Sequence, residues 1–332
     1  MFLLFPHSSS EMSNGKREPL FFRFAVLLFF AIAAMLAFRC EAADYTRTVR
    51  LGTNKVVIPQ SVAETRRLFG DSYQYLNRSH LILISDLDQR TLTQLELQDF
   101  QAYLTILTRQ LFTRALNSSR KDNTAIPVIF LFKDHESYRK GLRDMGLGDM
   151  LDSEMGRGNL RRGYQFNSPE VNGVLIDYRD NYAHGLSIYA HELTHALVRM
   201  EYPQAPIWIN EGLATMFGHC KVEGGQLQYM FGEGLARLKQ GLRGGGVLPL
   251  ARLFESTSKD FMGGGHLQYY DAAELLCRYL HSRDLLVQVY IEMRDGRGKG
   301  VNGSETVARV AGRTPEELEK DWHQWLKEQG RR

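Results

Sequence analysis

Cysteine is scarce in this 332-residue chain, which has three. One of them, Cys40, lies in an N-terminal segment expected to be lost. Cys220 and Cys277 then remain, free to pair in an oxidising compartment, but no disulfide framework is demanded. Charge of one sign is also missing. A formal net charge of +3, spread evenly, leaves no basic footprint for nucleic acid. There are no internal repeats or low-complexity tracts, which excludes a repeat scaffold. The apolar run Phe24 to Phe38 is fifteen residues long, short of the roughly 20 residues of a comfortable membrane span.

What surrounds that run reads as an export signal. Lys16, Arg17 and Arg23 form a basic lead, and Cys40-Glu41-Ala42-Ala43 supplies small residues for cleavage after Ala42 or Ala43. Phe38 and Arg39 are wrong for a lipoprotein box, and the segment before Met12 reads as dispensable. The expected organisation is residues 1–43 as signal peptide or N-terminal anchor, then an exported body in the periplasm, outside the cell or at the envelope. An uncleaved segment would instead tether the protein to the membrane through residues 20–38. About 290 residues remain after cleavage, enough for one two-lobed domain with a substantial core.

The most informative stretch is His191-Glu192-Leu193-Thr194-His195. Two histidines four apart leave the same face of a helix one turn above each other, so both imidazoles can bind one metal ion. Glu192 lies about 60° around the axis from His195, at roughly 100° per residue. A general base for a metal-bound water belongs there. Chance supplies roughly 0.02 such pentads in a chain of this composition. Solvated surface histidines would not sit in an apolar helix, yet Leu186, Ala190, Leu193, Leu197 and Met200 make one stripe, with Ile188 and Val198 flanking the histidines.

Catalytic zinc usually takes three protein ligands and keeps a fourth position for water. Pro203 and Pro206 end the first helix and reset the chain, and Glu211 follows in the expected first turn of a second helix. Fifteen residues separate His195 from Glu211, room for an antiparallel return that delivers the carboxylate to the metal. An acid stabilising a helix N-terminus would explain the same position.

With Trp208-Ile209-Asn210-Glu211-Gly212-Leu213-Ala214 added, the residues resemble the gluzincin metallopeptidases. This group includes thermolysin and the thermolysin-like aminopeptidases, and the peptidase MA-like branch is the nearest match. The resemblance implies a Zn2+ cofactor held by His191, His195 and Glu211, with Glu192 as catalytic base. It also implies a zincin-like α+β fold, in which a small mixed sheet packs on the zinc helix. It is strongest over residues 172–217 and traceable from about 80 to the C-terminus. Two departures stand out. The loop between His195 and Glu211 is shorter than in large gluzincins, and Thr215 replaces an acidic residue that would orient an imidazole.

Residues 80–86 and 127–133 are short β-rich runs with an amphipathic helix expected over 91–117 between them. A third run, 173–178, follows a turn-rich segment and feeds the zinc helix. The resemblance places this run at the sheet edge, where it would pair with the substrate backbone; an ordinary core strand is the other reading. The N-terminal α+β subdomain is thus expected over 44–200 and a helical C-terminal subdomain over 201–330. Helices are expected near 233–242, 248–256, 268–282, 284–293, 303–311 and 314–328, with glycine-rich breaks at 241–246 and 263–265.

The second break leads to Tyr269-Tyr270-Asp271, where the resemblance carries a Tyr at a helix start. Tyr270 is assigned as donor to the oxyanion, with Tyr269 and His266 as alternatives from the same loop. Packing between subdomains explains any of these aromatics equally well. His184 is rejected as a fourth ligand, because seven residues span about 10 Å of helix. His219 reads as a helix C-cap, and Arg157, Arg161 and Arg162 as a solvated loop. The expected activity is an exported zinc endopeptidase acting on peptides or proteins, since the exopeptidase motif that binds a substrate N-terminus is missing. The alternatives are a degenerate gluzincin that binds peptide or envelope ligands without cutting, and a membrane-anchored interaction protein with a fortuitous pentad.

Overall fold

The computed structural model describes residues 47–51, 54–78, 81–113, 127–149, 163–167, 171–178, 182–244, 246–296 and 303–329. The chain divides into two units, Met1–Tyr45 and Thr46–Arg332, and every described residue lies in the second. The expected export segment, Arg157, Arg161, Arg162 and the His184 side chain fall outside the described residues. No described helix is long and apolar enough to cross a membrane.

The architecture is mixed α and β. A five-stranded sheet has the order β3-β4-β5-β7-β6, with β3 Gln74–Asn77, β4 Ile82–Ser85, β5 Pro127–Phe132, β6 Gly163–Asn167 and β7 Asn172–Asp177. Strands β4, β5 and β7 run parallel, and β3 and β6 pair antiparallel at the two edges. The three parallel strands are apolar because both faces are covered. Leu83, Ile129, Leu131, Val174 and Ile176 face the main core, whereas Ile82, Ile84, Val128, Phe130 and Leu175 face a smaller one. Alternating side chains therefore feed alternate layers. The smaller core is closed by a hairpin, β1 Arg47–Leu51 with β2 Asn54–Ile58, together with α1 Val62–Phe69.

Parallel neighbours need crossovers. Between β4 and β5 run α2 Gln89–Gln94, a π-helical turn at Leu95–Phe100 and α3 Gln101–Gln110, in place of the single helix expected over 91–117. Between β5 and β7 comes α4 His135–Asp144, opened by a capping box at Asp134 and Ser137.

Of the two readings of residues 173–178, the core strand is the one found. Strand β7 is internal, hydrogen-bonded to β5 on one side and β6 on the other. Among the described residues the edge is β6, formed from residues expected to be turn-rich. Its Phe166 is buried and packs against Gly173 of β7, where a Cβ would come within 2.1 Å of the ring. A hairpin partner thus claims the hydrogen bonds that the sequence left for a substrate.

Helix α5, Tyr182–Glu201, buries the expected stripe of Leu186, Ala190, Leu193, Leu197 and Met200. It ends before Pro203, and α6, Ile207–Gly218, returns beside it. A hairpin of β8 Cys220–Glu223 and β9 Gln226–Tyr229 follows. Its turn is Gly224-Gly225, both at positive φ (58° and 75°), a pair of angles that favours glycine. The remaining helices are α7 Glu233–Gly244, α8 Leu250–Phe254, α9 Ser258–Met262, α10 His266–Ser282, α11 Leu286–Arg294, α12 Ser304–Ala311 and α13 Pro315–Glu328. All but α9 match segments expected from the sequence. Helix α10 lies against α6 at Gly212, where a Cβ would meet the Ala273 carbonyl oxygen at 2.6 Å and Cys277 Sγ at 2.8 Å. Cys220 and Cys277 are both buried and free.

Candidate metal centre

Three side chains converge where α5 and α6 face each other. His191 and His195 come from successive turns of α5, and Glu211 comes from α6. Glu211 is the fifth residue of α6, whose first turn carries no acid. This corrects the expected first-turn position and removes the helix N-terminus as the reason for its charge. The return is tight, with Tyr202 to Pro206 as the whole connection.

His191 Nε2 and His195 Nε2 are 3.1 Å apart, and Glu211 Oε2 lies 3.5 Å from the second and 3.9 Å from the first. A triangle with these sides has a circumradius of about 2 Å, and zinc bonds to histidine nitrogen and carboxylate oxygen are about 2.0–2.2 Å long. A single ion can therefore touch all three atoms. Glu211 Oε2 is buried without a hydrogen-bond partner, and its ion pairs are with the two imidazoles, so its burial is offset either by a proton on His195 or by a cation among the three atoms.

The ring nitrogens pointing away from this centre are both occupied. His195 Nδ1 lies 3.0 Å from Asn210 Oδ1, an acceptor, so Nδ1 carries the proton and Nε2 is left for a metal. His191 has a backbone partner in Ala214. Asn210 is thus the orienting group that Thr215 could not supply. The sequence contained it, but only as a neighbour of Glu211. Replacing Asn210 with Ala is expected to weaken metal binding about 10- to 100-fold. Competition against a chromogenic chelator measures this, and unchanged affinity would deny Asn210 a supporting role.

Burial and the neighbouring His195 charge push His191 down to about 3. For His195, burial opposes the charged form, but the Glu211 carboxylate outweighs it and lifts the imidazole to about 9. Glu211 moves the other way: burial alone would raise it, and the two imidazoles hold it below its ordinary value.

Glu192 stands apart from the ligand group and is 8% exposed. Burial first, and then the Glu211 charge, raise its carboxyl to about 7 against the pull of His195. Its side chain lies against the start of β6, where a Cβ on Gly163 would come within 2.7 Å of Oε1 and 3.0 Å of Cγ. The Tyr138 and Tyr164 hydroxyls also feel its charge.

Of the three aromatic alternatives, Tyr270 reaches this group, with its hydroxyl raised by burial and then by the nearby Glu211 and Glu192 charges. Tyr269 packs on Phe261 and bonds Asp260, and His266 Nδ1 donates to the Gly263 carbonyl at 3.0 Å. No protein-family model matches the chain, and no curated protein matches it.

Proposed function

We propose that the protein is a zinc-dependent metallohydrolase, a peptidase of endopeptidase type, with His191, His195 and Glu211 as ligands and Glu192 as general base. The observation that carries this reading is the ligand triangle, with an orphaned carboxylate oxygen at one corner and a carboxyl raised to about 7 beside it. A mixed sheet against the two-helix centre agrees with the gluzincin likeness of the sequence and with a zincin-like fold.

When bound, the ion would polarise a scissile carbonyl and acidify water, as catalytic zinc does. The chain's own groups do the rest. Glu192 takes a proton from the attacking water and returns it to the leaving nitrogen, work for which a carboxyl near pH 7 is matched. Asn210 and the Ala214 backbone fix the imidazoles. The Tyr270 hydroxyl lies near Glu211, within the region where the resemblance assigns it to the oxyanion. A peptide is favoured as substrate because the edge strand β6 begins against Glu192, so an extended chain added to that edge would run beside the base.

The test is elemental analysis of purified protein followed by a broad peptide-library digest. About one zinc per chain with cleavage supports the peptidase. Zinc without any cleavage favours the non-catalytic gluzincin-like binder.

Metal uptake also has a pH signature. In the metal-free protein, His195 at about 9 is protonated at neutral pH and His191 at about 3 is not. A metal must displace that one proton, so affinity should rise about tenfold per pH unit up to about pH 9 and then level off. Chelator competition across this range checks the slope, and a flat profile would contradict a proton on His195.

Export is proposed on the basic lead, apolar run and small residues of positions 16–43. Mass spectrometry of the native protein should find a chain starting near Ala43 or Asp44. An intact N-terminus in the membrane fraction would favour the anchored form.

A further inference from the structure

Helix α4 buries a hydroxyl that has no hydrogen-bond partner. Tyr138 is fully buried in the smaller core, with its ring centroid 5.5 Å from that of Phe132 at the end of β5. Its Oη makes no hydrogen bond among the described residues. An unpaired hydroxyl taken from water destabilises the fold, and phenylalanine would fill the same space without that penalty. The ring serves packing, but the oxygen needs another reason.

The surroundings of that oxygen supply one. Strand register sets Phe132 of β5 beside Asp177 of β7, and Ile176 of β7 beside Gly163 of β6. Helix α4 lies on β5 and β7, which brings Tyr138 to this end of the sheet from the face of the smaller core. Glu192 arrives at the same end from α5, on the face of the main core, where Gly163 has no side chain to exclude its carboxyl. Two carboxylates and one phenol therefore gather around the end of β7.

Burial first, and then the charges of Glu192 and Asp177, raise the Tyr138 phenol well above its ordinary value. It keeps its proton and stays a donor. Of the two carboxylates, Asp177 already holds His135, with Oδ2 2.9 Å from Nδ1 of the imidazole. Glu192 is the one whose direction matters to the chemistry, because a base must point at the proton that it takes.

We infer that Tyr138 is a positioning residue for Glu192, its hydroxyl donating to that carboxylate through one bridging water which Asp177 also holds, a role that rests on the hydrolase reading above. A buried water needs about two to four polar partners, and these three groups meet that need. A bond made through such a water is nearly as good as a direct one. Held from behind in this way, Glu192 keeps one oxygen turned toward the attacking water. Tyr138 itself touches neither the substrate nor the metal ligands.

The test is a double-mutant cycle of Tyr138→Phe and Glu192→Gln, singly and together, in the full chain. Denaturant unfolding reads the coupling between the two side chains, and kcat and KM on a peptide that the wild type cuts read its use. With Glu192 present, Tyr138→Phe should raise the unfolding constant about tenfold; with glutamine there, the charged acceptor is gone and the same change should be neutral or stabilising. In the wild-type background kcat should fall about tenfold while KM stays within about twofold, since the hydroxyl orients the base and does not bind substrate. Effects of Tyr138→Phe on unfolding that agree within about twofold in the two backgrounds overturn the contact. Coupled stabilities with an unchanged kcat overturn the positioning role and mark a merely structural hydroxyl. A wild type that cuts no peptide overturns the hydrolase reading instead, and the unfolding cycle, which needs no turnover, still decides the contact.

Discussion

Glu192→Gln is expected to retain the full metal content of the wild type and to lose 10²- to 10⁴-fold or more in hydrolysis, roughly 3–6 kcal/mol of transition-state stabilisation. The separation of the two effects follows from geometry. Glu192 is one residue from His191 but outside the three-atom ligand group, so an isosteric amide changes little at the ion. What the amide removes is the proton acceptor that burial has raised to about 7. The glycine at position 163 leaves that carboxyl its place against β6, and glutamine fits the same space. Rates from the peptide digest and zinc by elemental analysis decide it. A variant that cleaves at the wild-type rate would strip Glu192 of the base role, and one that loses zinc would make it part of the metal site.

Much of this arrangement was legible in the sequence because it rests on periodicity. The stripe Leu186, Ala190, Leu193, Leu197 and Met200 gave α5 its buried face, and the histidine spacing then put both imidazoles side by side, with ring centroids 4.7 Å apart. Strands β4, β5 and β7 were visible as apolar runs because both faces of the sheet are covered. Strand β6 was not, since the alternation of Tyr164 and Phe166 with Gly163, Gln165 and Asn167 is only five residues long and runs into Ser168-Pro169. Its glycine answers to Glu192, not to strand propensity. Long-range polar partners were hidden in the same way. Asn210 meets His195 across fifteen positions and His219 meets Glu274 across 55. Such distances are closed by the packing of α5, α6 and α10, and local pattern carries no trace of them. His219 therefore read as a cap, and Glu211 as an acid with two explanations.

Glu211→Gln is expected to leave the purified protein with little or no zinc, an affinity loss on the order of 10³-fold or more for one of three ligands. The carboxylate supplies the anionic corner of the triangle, and an amide oxygen there is a neutral and weaker donor. A second consequence appears without metal. In the wild type, His195 is lifted from 6.5 to about 9 chiefly by Glu211 acting against burial. A raised imidazole adds stability that is complete below its unfolded value near 6.5 and disappears as pH climbs through about 9. Chelator-treated wild type should therefore lose roughly a few kcal/mol of unfolding free energy between about pH 6.5 and 9. The variant, with no anion to hold the proton on His195, should be nearly flat across that window. Denaturant unfolding at several pH values measures the difference. Stoichiometric zinc surviving in Glu211→Gln would remove this residue from the ligand set, and parallel pH profiles would show that its charge does not govern His195.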